Sequence, residues 1–256
     1  MARSKKQKYN IYKSNELITR IRYQMTLLQQ NLFNYIFTLI PDPVVRNNGV
    51  EVIGRLSLEE RTIRFNINDF AEIMGYAKGG KQRQIIKEAL FELDKEGRCW
   101  IETEDGAGER IFRIFDDIVI YKGGKKNGDV EIVLSPATDK HIHRLKRDYT
   151  VMNFLETKNF KSKYTFIIYE LLKREQYRGT FTITFDELRS RMITDSSSYC
   201  EEYWKFNQKI LRPSIEEINL YTTLSVNYAL DRSDYKISFN ISEEKSVPNG
   251  VANEEN

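Results

Sequence analysis

Two stretches of the chain repeat one pattern of hydrophobic and polar positions. In residues 180–219, alternating residues predict a short strand, and Thr184 then begins a capping box. Leu188 and Met192 lie four positions apart, so they share one face of a short helix. Polar residues 195–198 interrupt the pattern, and a longer helix with hydrophobic residues at helical spacing follows. This order of elements predicts a helix-turn-helix.

The same order occurs earlier, at residues 64–96. Phe65 matches Phe181, which gives an offset of 181 − 65 = 116 between the two copies. In this alignment Asn68 caps the short helix, and the longer helix runs over residues 81–96. Two copies of one supersecondary unit in a single chain predict two related domains.

Alternating hydrophobic residues after each longer helix predict β-hairpins. The predicted strand pairs are residues 100–103 with 111–115, 117–121 with 130–134, and 223–230 with 235–241. A hairpin that follows a helix-turn-helix makes the unit a winged helix. We therefore predict an α+β protein of two tandem winged-helix domains, each a helix-turn-helix with a β-hairpin wing.

The predicted domains are flanked by two segments without a core pattern. Residues 1–13 are rich in lysine and arginine and predict a flexible basic arm. The N-terminal domain then covers residues 14–150 and the C-terminal domain covers residues 151–242. Residues 243–256 show no apolar periodicity and predict a disordered tail.

Composition and charge narrow the choice of function only a little. The formal net charge of +3 is too small to indicate nucleic-acid binding by itself, so local clusters of cations have to carry that argument. Cys99 and Cys200 fall in different halves of the chain, which argues against a structural disulfide and favours a cytoplasmic protein. No apolar run approaches the roughly 20 residues of a membrane span.

Short motifs between residues 14 and 242 carry a family resemblance. They are Ser14-Asn15-Glu16-Leu17-Ile18, Leu27-x4-Leu32, Lys161-Ser162-Lys163-Tyr164, Tyr169-Glu170-Leu171-Leu172-Lys173 and Leu211-x-Pro213-Ser214-Ile215-x-Glu217-Ile218-Asn219. Together they resemble the plasmid replication initiators of the iteron-binding type, which are built from two winged-helix domains. The resemblance implies a protein that binds double-stranded DNA at repeats of a plasmid origin and starts replication there.

The same resemblance implies several partners. It implies a homodimer that pairs through the N-terminal domain and represses its own gene. It also implies contacts with the replication initiator and the replicative helicase of the host. The N-terminal domain would then serve both dimerisation and DNA binding, and the C-terminal domain would be the main DNA reader.

The longer helix of the C-terminal domain offers the best DNA-facing surface. Phe206 and Ile210 point inward, so at about 100° per residue the polar side chains point away. This outward face and its flank hold Trp204, Lys205, Gln208, Lys209 and Arg212. Arginine and glutamine can pair with base edges and lysine with phosphates. The alternative is an ordinary solvated helix face. Pro213 predicts a kink or break at the end of this surface.

The longer helix of the N-terminal domain is the weaker candidate. Ile86, Leu90 and Leu93 point inward, and Glu88 on the outer side would repel phosphates. The outward cations and amides there are Lys81 and Gln84, with Lys87 beside them. Further cations lie in the predicted wings: Arg110 in the first wing, Lys125 and Lys126 in the neighbouring loop, and Arg232 and Lys236 in the last wing.

An enzyme is the competing hypothesis. His141-Ile142-His143 matches the His-hydrophobic-His pattern of rolling-circle nickases, and Tyr149 could act as nucleophile. Ser135-Pro136 predicts a helix at this point, however, and on a helix the two imidazoles lie about 200° apart. No phosphate-binding loop and no zinc-ligand spacing is present. We therefore expect a protein that is not an enzyme and needs no metal or cofactor. A chromosomal winged-helix regulator is a third possibility.

Overall fold

The computed structural model describes residues 9–20, 25–40, 56–77, 79–96, 98–102, 107–142, 145, 148–192, 202–231 and 233–243. The elements up to residue 142 are β1 (Asn10–Ser14), α1 (Asn15–Thr19), α2 (Leu27–Thr38), α3 (Leu58–Arg61), β2 (Thr62–Asn66), α4 (Ile67–Ile73), α5 (Gly80–Glu96), β3 (Arg98–Glu102), β4 (Glu109–Arg113), β5 (Phe115–Ile120), β6 (Asp129–Leu134) and α6 (Asp139–Ile142).

The elements after residue 148 are β7 (Tyr149–Asn153), α7 (Phe154–Thr157), α8 (Lys163–Glu175), β8 (Thr180–Thr184), α9 (Phe185–Arg191), α10 (Tyr203–Phe206), a π-helical turn (Asn207–Leu211), α11 (Arg212–Tyr221), β9 (Leu224–Asp231) and β10 (Lys236–Glu243). The helix α10, the π-turn and α11 follow one another without a gap, and together they are called helix 203–221 below.

Two units of the chain have the same topology. The N-terminal unit consists of β2, α4, α5, β5 and β6, and its antiparallel sheet has the order β2-β6-β5. The C-terminal unit consists of β8, α9, helix 203–221, β9 and β10, and its antiparallel sheet has the equivalent order β8-β10-β9. Strand, short helix, longer helix and hairpin occur in the same sequence in both. The predicted fold of two tandem winged-helix domains is confirmed.

The alignment of the two units differs from the predicted one by two residues. β8 begins at residue 180 and β2 at residue 62, so the offset is 180 − 62 = 118 rather than 116. Phe65 therefore corresponds to Ile183, and Ile67 corresponds to Phe185. Ile67 and Phe185 are buried first residues of helices, not strand residues. Their burial continues the alternation of the strand, and for that reason the sequence pattern did not fix the register.

The caps of the short helices follow from this register. Thr184 caps α9 as predicted, since its side-chain oxygen accepts from the backbone N–H of Glu187 at 3.1 Å. The cap of α4 is Asn66 and not Asn68. The Oδ1 of Asn66 accepts from the backbone N–H of Asn68 at 2.9 Å, which places Asn68 inside the first turn.

The hairpin that serves as the N-terminal wing is the second of the two predicted hairpins. β5 and β6 join the sheet with β2, whereas β3 and β4 form a separate two-stranded sheet. Val130, Ile132 and Leu134 of β6 are buried against the unit's core, but Ile111 of β4 is 68% exposed. Arg110 therefore lies on the extra hairpin rather than on the wing. Alternation predicted both hairpins but could not show which one completes the sheet.

The basic arm is shorter than the sequence predicts. Asn10–Ser14 forms β1, which pairs antiparallel with β7, and Ile11 and Lys13 point inward from it. The Nζ of Lys13 donates to Glu170 Oε1 of α8 at 2.6 Å. The rest of the arm, residues 1–8, lies outside the described residues, as does the predicted tail after residue 243. The predicted domain boundary near 150 falls within β7 and stays a prediction.

Helix α8 lies at the junction of the two halves of the chain. It packs against α11 and also against β7, α1 and α2. The hydroxyl of its buried Tyr169 donates to Glu156 Oε2 at 2.9 Å, and Arg191 of α9 donates to the backbone carbonyl of Thr19. None of the helices in the described part of the chain is both long and apolar enough to cross a bilayer.

Of the kink or break predicted at Pro213, the break does not occur, since helix 203–221 is continuous there. The π-turn immediately before the proline changes the hydrogen-bonding pattern, and the Arg212 backbone N–H donates to the carbonyl of Asn207, five residues earlier. Helix α11 then continues through Pro213 to Tyr221. Because a π-turn repositions the carbonyls that precede it, the proline ring is accommodated without a break.

Candidate nucleic-acid interface

The exposed face of helix 203–221 is set by the residues that it buries. Phe206 and Ile210 are buried, and the Phe206 ring meets the ring of Phe185 edge-on with centroids 5.2 Å apart. The opposite side of the helix carries the predicted residues. Trp204, Gln208, Lys209 and Arg212 are exposed, and Lys205 is half-buried. Their outward orientation agrees with the sequence analysis, while their contact with DNA stays a prediction.

Glu202 organises the N-terminal end of this face. Its carboxylate accepts from Trp204 Nε1 at 2.9 Å and from the Lys205 ammonium. The Lys205 Nζ also lies 5.6 Å from the Trp204 ring centroid. The hydrogen bond from Lys205 lowers the pKa of Glu202 below its usual value. A phosphate that approaches Lys205 would have to displace this carboxylate, and the exposed position of Glu202 makes that exchange accessible.

Two further cations lie along the middle of the face. Arg212 Nε lies 3.1 Å from Glu216 Oε1, one turn further along the helix, and both side chains are largely exposed. An exposed ion pair of this kind contributes little to stability, so DNA can replace it at low cost. Within the part of the chain that the structure describes, Lys209 forms no ion pair, which leaves its ammonium available to a phosphate.

The wing of the C-terminal unit contacts the start of helix 203–221. The Tyr203 hydroxyl donates to the backbone carbonyl of Lys236 at 3.1 Å. Lys236 is exposed, and its ammonium lies 2.8 Å from Asp234, whose hydrogen bond raises the pKa of Lys236. Lys236 of the wing is thus brought next to the residue that precedes Trp204 at the start of the helix. Arg232, the other predicted cation of the wing, lies outside the described residues.

Tyr235 is a residue of this surface that the sequence analysis missed. It is 58% exposed, its ring lies 5.8 Å from that of Tyr203, and its backbone has a positive φ of 50°. A bulky side chain rarely adopts this conformation, and glycine or asparagine would be less strained there. The sequence did contain a signal for this residue: Tyr235 is an aromatic residue in a hairpin turn, where glycine is the usual residue at a positive φ.

The corresponding helix of the N-terminal unit, α5, presents a mixed surface. Lys81 and Gln84 are exposed and Lys87 is half-buried, as predicted. The Nε2 of Gln84 donates to Glu88 Oε1 at 3.0 Å, so this amide donor is already hydrogen-bonded and has a negative charge beside it. The exposed side chain of Phe91 lies further along the same helix. This arrangement suits phosphate contact at the start of α5 better than base reading along it.

The cations of the N-terminal hairpins separate into two places. Lys125 and Lys126 lie in a short 3-10 turn between β5 and β6, at the tip of the wing. The Nζ of Lys126 lies 4.8 Å from the ring centroid of Tyr121. Arg110 is exposed on β4, on the extra hairpin. The N-terminal wing therefore offers Lys125 and Lys126 at the position where the C-terminal wing offers the turn before Lys236.

His141, proposed as a metal ligand in the nickase hypothesis, is buried. Its Nδ1 lies 3.0 Å from Ser14 Oγ and 3.6 Å from Glu16 Oε2, and its ring stacks on Phe112. These contacts hold the imidazole within the fold of the N-terminal half. His143 lies outside the described residues. Among the described residues, no group of three or more His, Cys, Asp or Glu side chains could hold a metal ion.

Comparisons with known proteins give matches for both halves of the chain. The family model described as Initiator Replication protein, WH1 matches residues 10–173. The model described as Initiator Rep protein, WH2 matches residues 184–241. Comparison with curated proteins finds no match.

Solved structures with the same fold include the crystal structure of the Pi initiator protein in complex with iteron DNA. It shares 16% sequence identity with this chain, covers 94% of this chain and 99% of its own, and superposes with a TM-score of 0.70. The crystal structure of domains 2 and 3 of RctB shares 12% identity, covers 94% of each chain and has a TM-score of 0.49. The two family models together span most of the sequence, and the chain belongs to the initiator replication protein family.

Proposed function

We propose that this protein initiates plasmid replication by binding double-stranded DNA at repeated sequences, or iterons, of the origin. The observation that carries the proposal is the exposed face of helix 203–221, where aromatic, basic and amide side chains lie together and the wing touches the helix end. The resemblance in fold to an initiator that was crystallised with iteron DNA supports it. Family membership supports the replication role.

The two units divide the work of recognition in this proposal. In the C-terminal unit, Gln208 and Arg212 pair with base edges in the major groove, with Trp204 beside them. Phosphate contacts come from the surrounding cations, which are Lys205, Lys209, Arg232 and Lys236. In the N-terminal domain, Lys81, Gln84 and Lys87 of α5 and Arg110 of the extra hairpin add contacts that carry less sequence information. The C-terminal domain is then the main reader, and the N-terminal domain adds affinity.

The salt dependence of binding tests this interface. If Lys209 contacts a phosphate, Lys209→Ala should weaken binding to specific and unrelated duplexes alike and lower the slope of log K against log salt by about one. Lys161, exposed on the loop before α8, offers a matched control, because its removal should leave the slope unchanged. Equal slopes for wild type, Lys209→Ala and Lys161→Ala would remove Lys209 from the interface.

We also propose that the protein forms a homodimer through its N-terminal domain and represses its own gene in that form. Ile111 supports this assignment, since it is a large apolar residue exposed on β4, and strand alternation turns it to the face opposite Arg110. We expect Ile111→Glu to shift sedimentation of the protein toward the monomer. Leu220→Glu, at an exposed residue of the C-terminal unit, should not. Dimers of equal strength in both variants would move the interface elsewhere.

The proposed protein is a DNA-binding initiator rather than an enzyme, and it needs no metal or cofactor. The buried position of His141 supports this, because a nickase ligand has to reach a phosphodiester. Cleavage of a supercoiled plasmid in the presence of magnesium would contradict it.

The separate positions of the two cysteines support a cytoplasmic location. The further partners that the family resemblance implies are the replication initiator and the replicative helicase of the host.

A further inference from the structure

The π-turn in helix 203–221 allows two residues to be buried that a regular α-helix would place on opposite sides. Phe206 and Ile215 are both buried, and they lie 215 − 206 = 9 positions apart. At about 100° per residue, nine positions of an α-helix turn through about 900°, so the two side chains would point in opposite directions. The π-turn at Asn207–Leu211 contains one residue more than an α-helical turn. It brings Phe206 and Ile215 to the same face.

Helix 203–221 is hydrogen-bonded to β9 at the start of the π-turn and again beyond it. At the first residue of the turn, the Tyr228 hydroxyl donates to Asn207 Oδ1 at 2.8 Å. Beyond the turn, the Asn219 side chain forms two hydrogen bonds with the backbone of Val226, at 2.7 and 2.9 Å. Each half of the helix is therefore held in its own rotational position. Burial raises the pKa of Tyr228, so its hydroxyl remains a donor at neutral pH.

We propose that the π-turn determines which side chain occupies the centre of the DNA-facing surface, and that Asn207 and Tyr228 are positioning residues for it. This inference rests on the proposed function. With the turn present, Gln208 follows the buried Phe206 by two positions and is exposed, on the side away from the core. If the extra residue were removed at Asn207, Lys209 would take that central position and Gln208 would turn to the flank. A base-reading amide would be replaced by an ammonium.

The removal of Asn207 should leave the core intact. In the shortened, fully α-helical segment, Ile215 would follow Phe206 by eight positions, or about 800°, which keeps both on one side. Because proline disrupts an α-helix, the deletion is made together with Pro213→Ala and compared with Pro213→Ala alone. Deletion of Glu217 in α11 is the matched control. Helix α11 contains no extra residue, so this deletion would rotate the buried Ile218 away from the rest of the core.

Selection from a library of duplexes with a randomised central segment tests the inference on the full chain. We expect Pro213→Ala to select the same sequence as wild type. The Asn207 deletion should melt within about 5 °C of its Pro213→Ala parent. Its preference for the wild-type sequence over other duplexes should nevertheless fall at least about tenfold, or it should select a different sequence. Either result is expected when one base contact is altered. The Glu217 deletion should unfold.

Two outcomes would overturn the inference. The deletion variant could select the wild-type sequence with unchanged preference, or it could unfold as the Glu217 deletion does. Tyr228→Phe tests the positioning role separately, because it removes only the hydroxyl. We expect a several-fold loss of preference with unchanged affinity for unrelated duplexes, and an unchanged preference would exclude that role. Wild type that selects no sequence at all would instead refute the proposed function.

Discussion

Replacement of Lys13 by alanine should lower the free energy of unfolding by about 3–5 kcal/mol. Lys13 is only 1% exposed, and its ammonium lies 2.6 Å from Glu170, which is also buried. The same ammonium lies 5.0 and 5.5 Å from the ring centroids of Phe33 and Phe37. Removal of the cation takes away the ammonium 2.6 Å from the buried Glu170 carboxylate, and loss of one member of a buried ion pair costs more than the pair contributes. Thermal and denaturant unfolding of the full chain measure the change.

The paired replacement Lys13→Met with Glu170→Leu provides the control. Because it removes both charges and fills a similar volume, it should recover most of the stability that Lys13→Ala loses. A loss of less than about 1 kcal/mol for Lys13→Ala would mean that β1 is not anchored to α8 through this pair.

Replacement of Arg212 by alanine should weaken binding to the cognate repeat by about 1–3 kcal/mol and relax the preference at one base position. The guanidinium is exposed on the DNA-facing side of helix 203–221, where it can pair with a guanine edge. Arg212→Lys keeps the charge but loses the bidentate geometry, so it should show nearly the same loss of preference. Titrations of each variant on cognate and scrambled duplexes measure both quantities.

A second variant separates the role of Arg212 from that of its ion pair. Glu216→Gln releases the guanidinium from its intrahelical partner and removes a negative charge from the interface. It should leave the preference unchanged and should not weaken binding. If Arg212→Ala bound the cognate repeat as tightly as wild type while remaining folded, this part of the helix would not contact bases.

Hydrophobic periodicity predicted the fold because each element of a winged helix has one buried face. The positions of α5, β6 and β10 and the order of both units follow from that pattern. The choice between the two N-terminal hairpins does not, because strands on either hairpin alternate in the same way. The pairing of β1 with β7 brings together residues far apart in sequence, and a lysine-rich segment gave no sign that Lys13 is buried.

The candidate site was predictable where it depended on helical spacing. The outward positions of Trp204, Gln208 and Arg212 follow from the inward positions of Phe206 and Ile210. The π-turn could not be foreseen by counting at 100° per residue, because that count places the buried Phe206 and Ile215 on opposite sides of the helix. The ion pairs of Lys205 and Arg212 and the backbone of Tyr235 depend on tertiary structure.

Footprinting of the full-length protein on the DNA that flanks its gene tests whether the protein recognises iterons. We expect several protected segments of related sequence, arranged as direct repeats, with the major groove of each segment covered by helix 203–221. Arg212→Ala should lose this protection before it loses its affinity for unrelated DNA. Protection of a lone inverted repeat without any direct repeats would indicate a transcription regulator, and uniform protection without sequence preference would contradict iteron recognition.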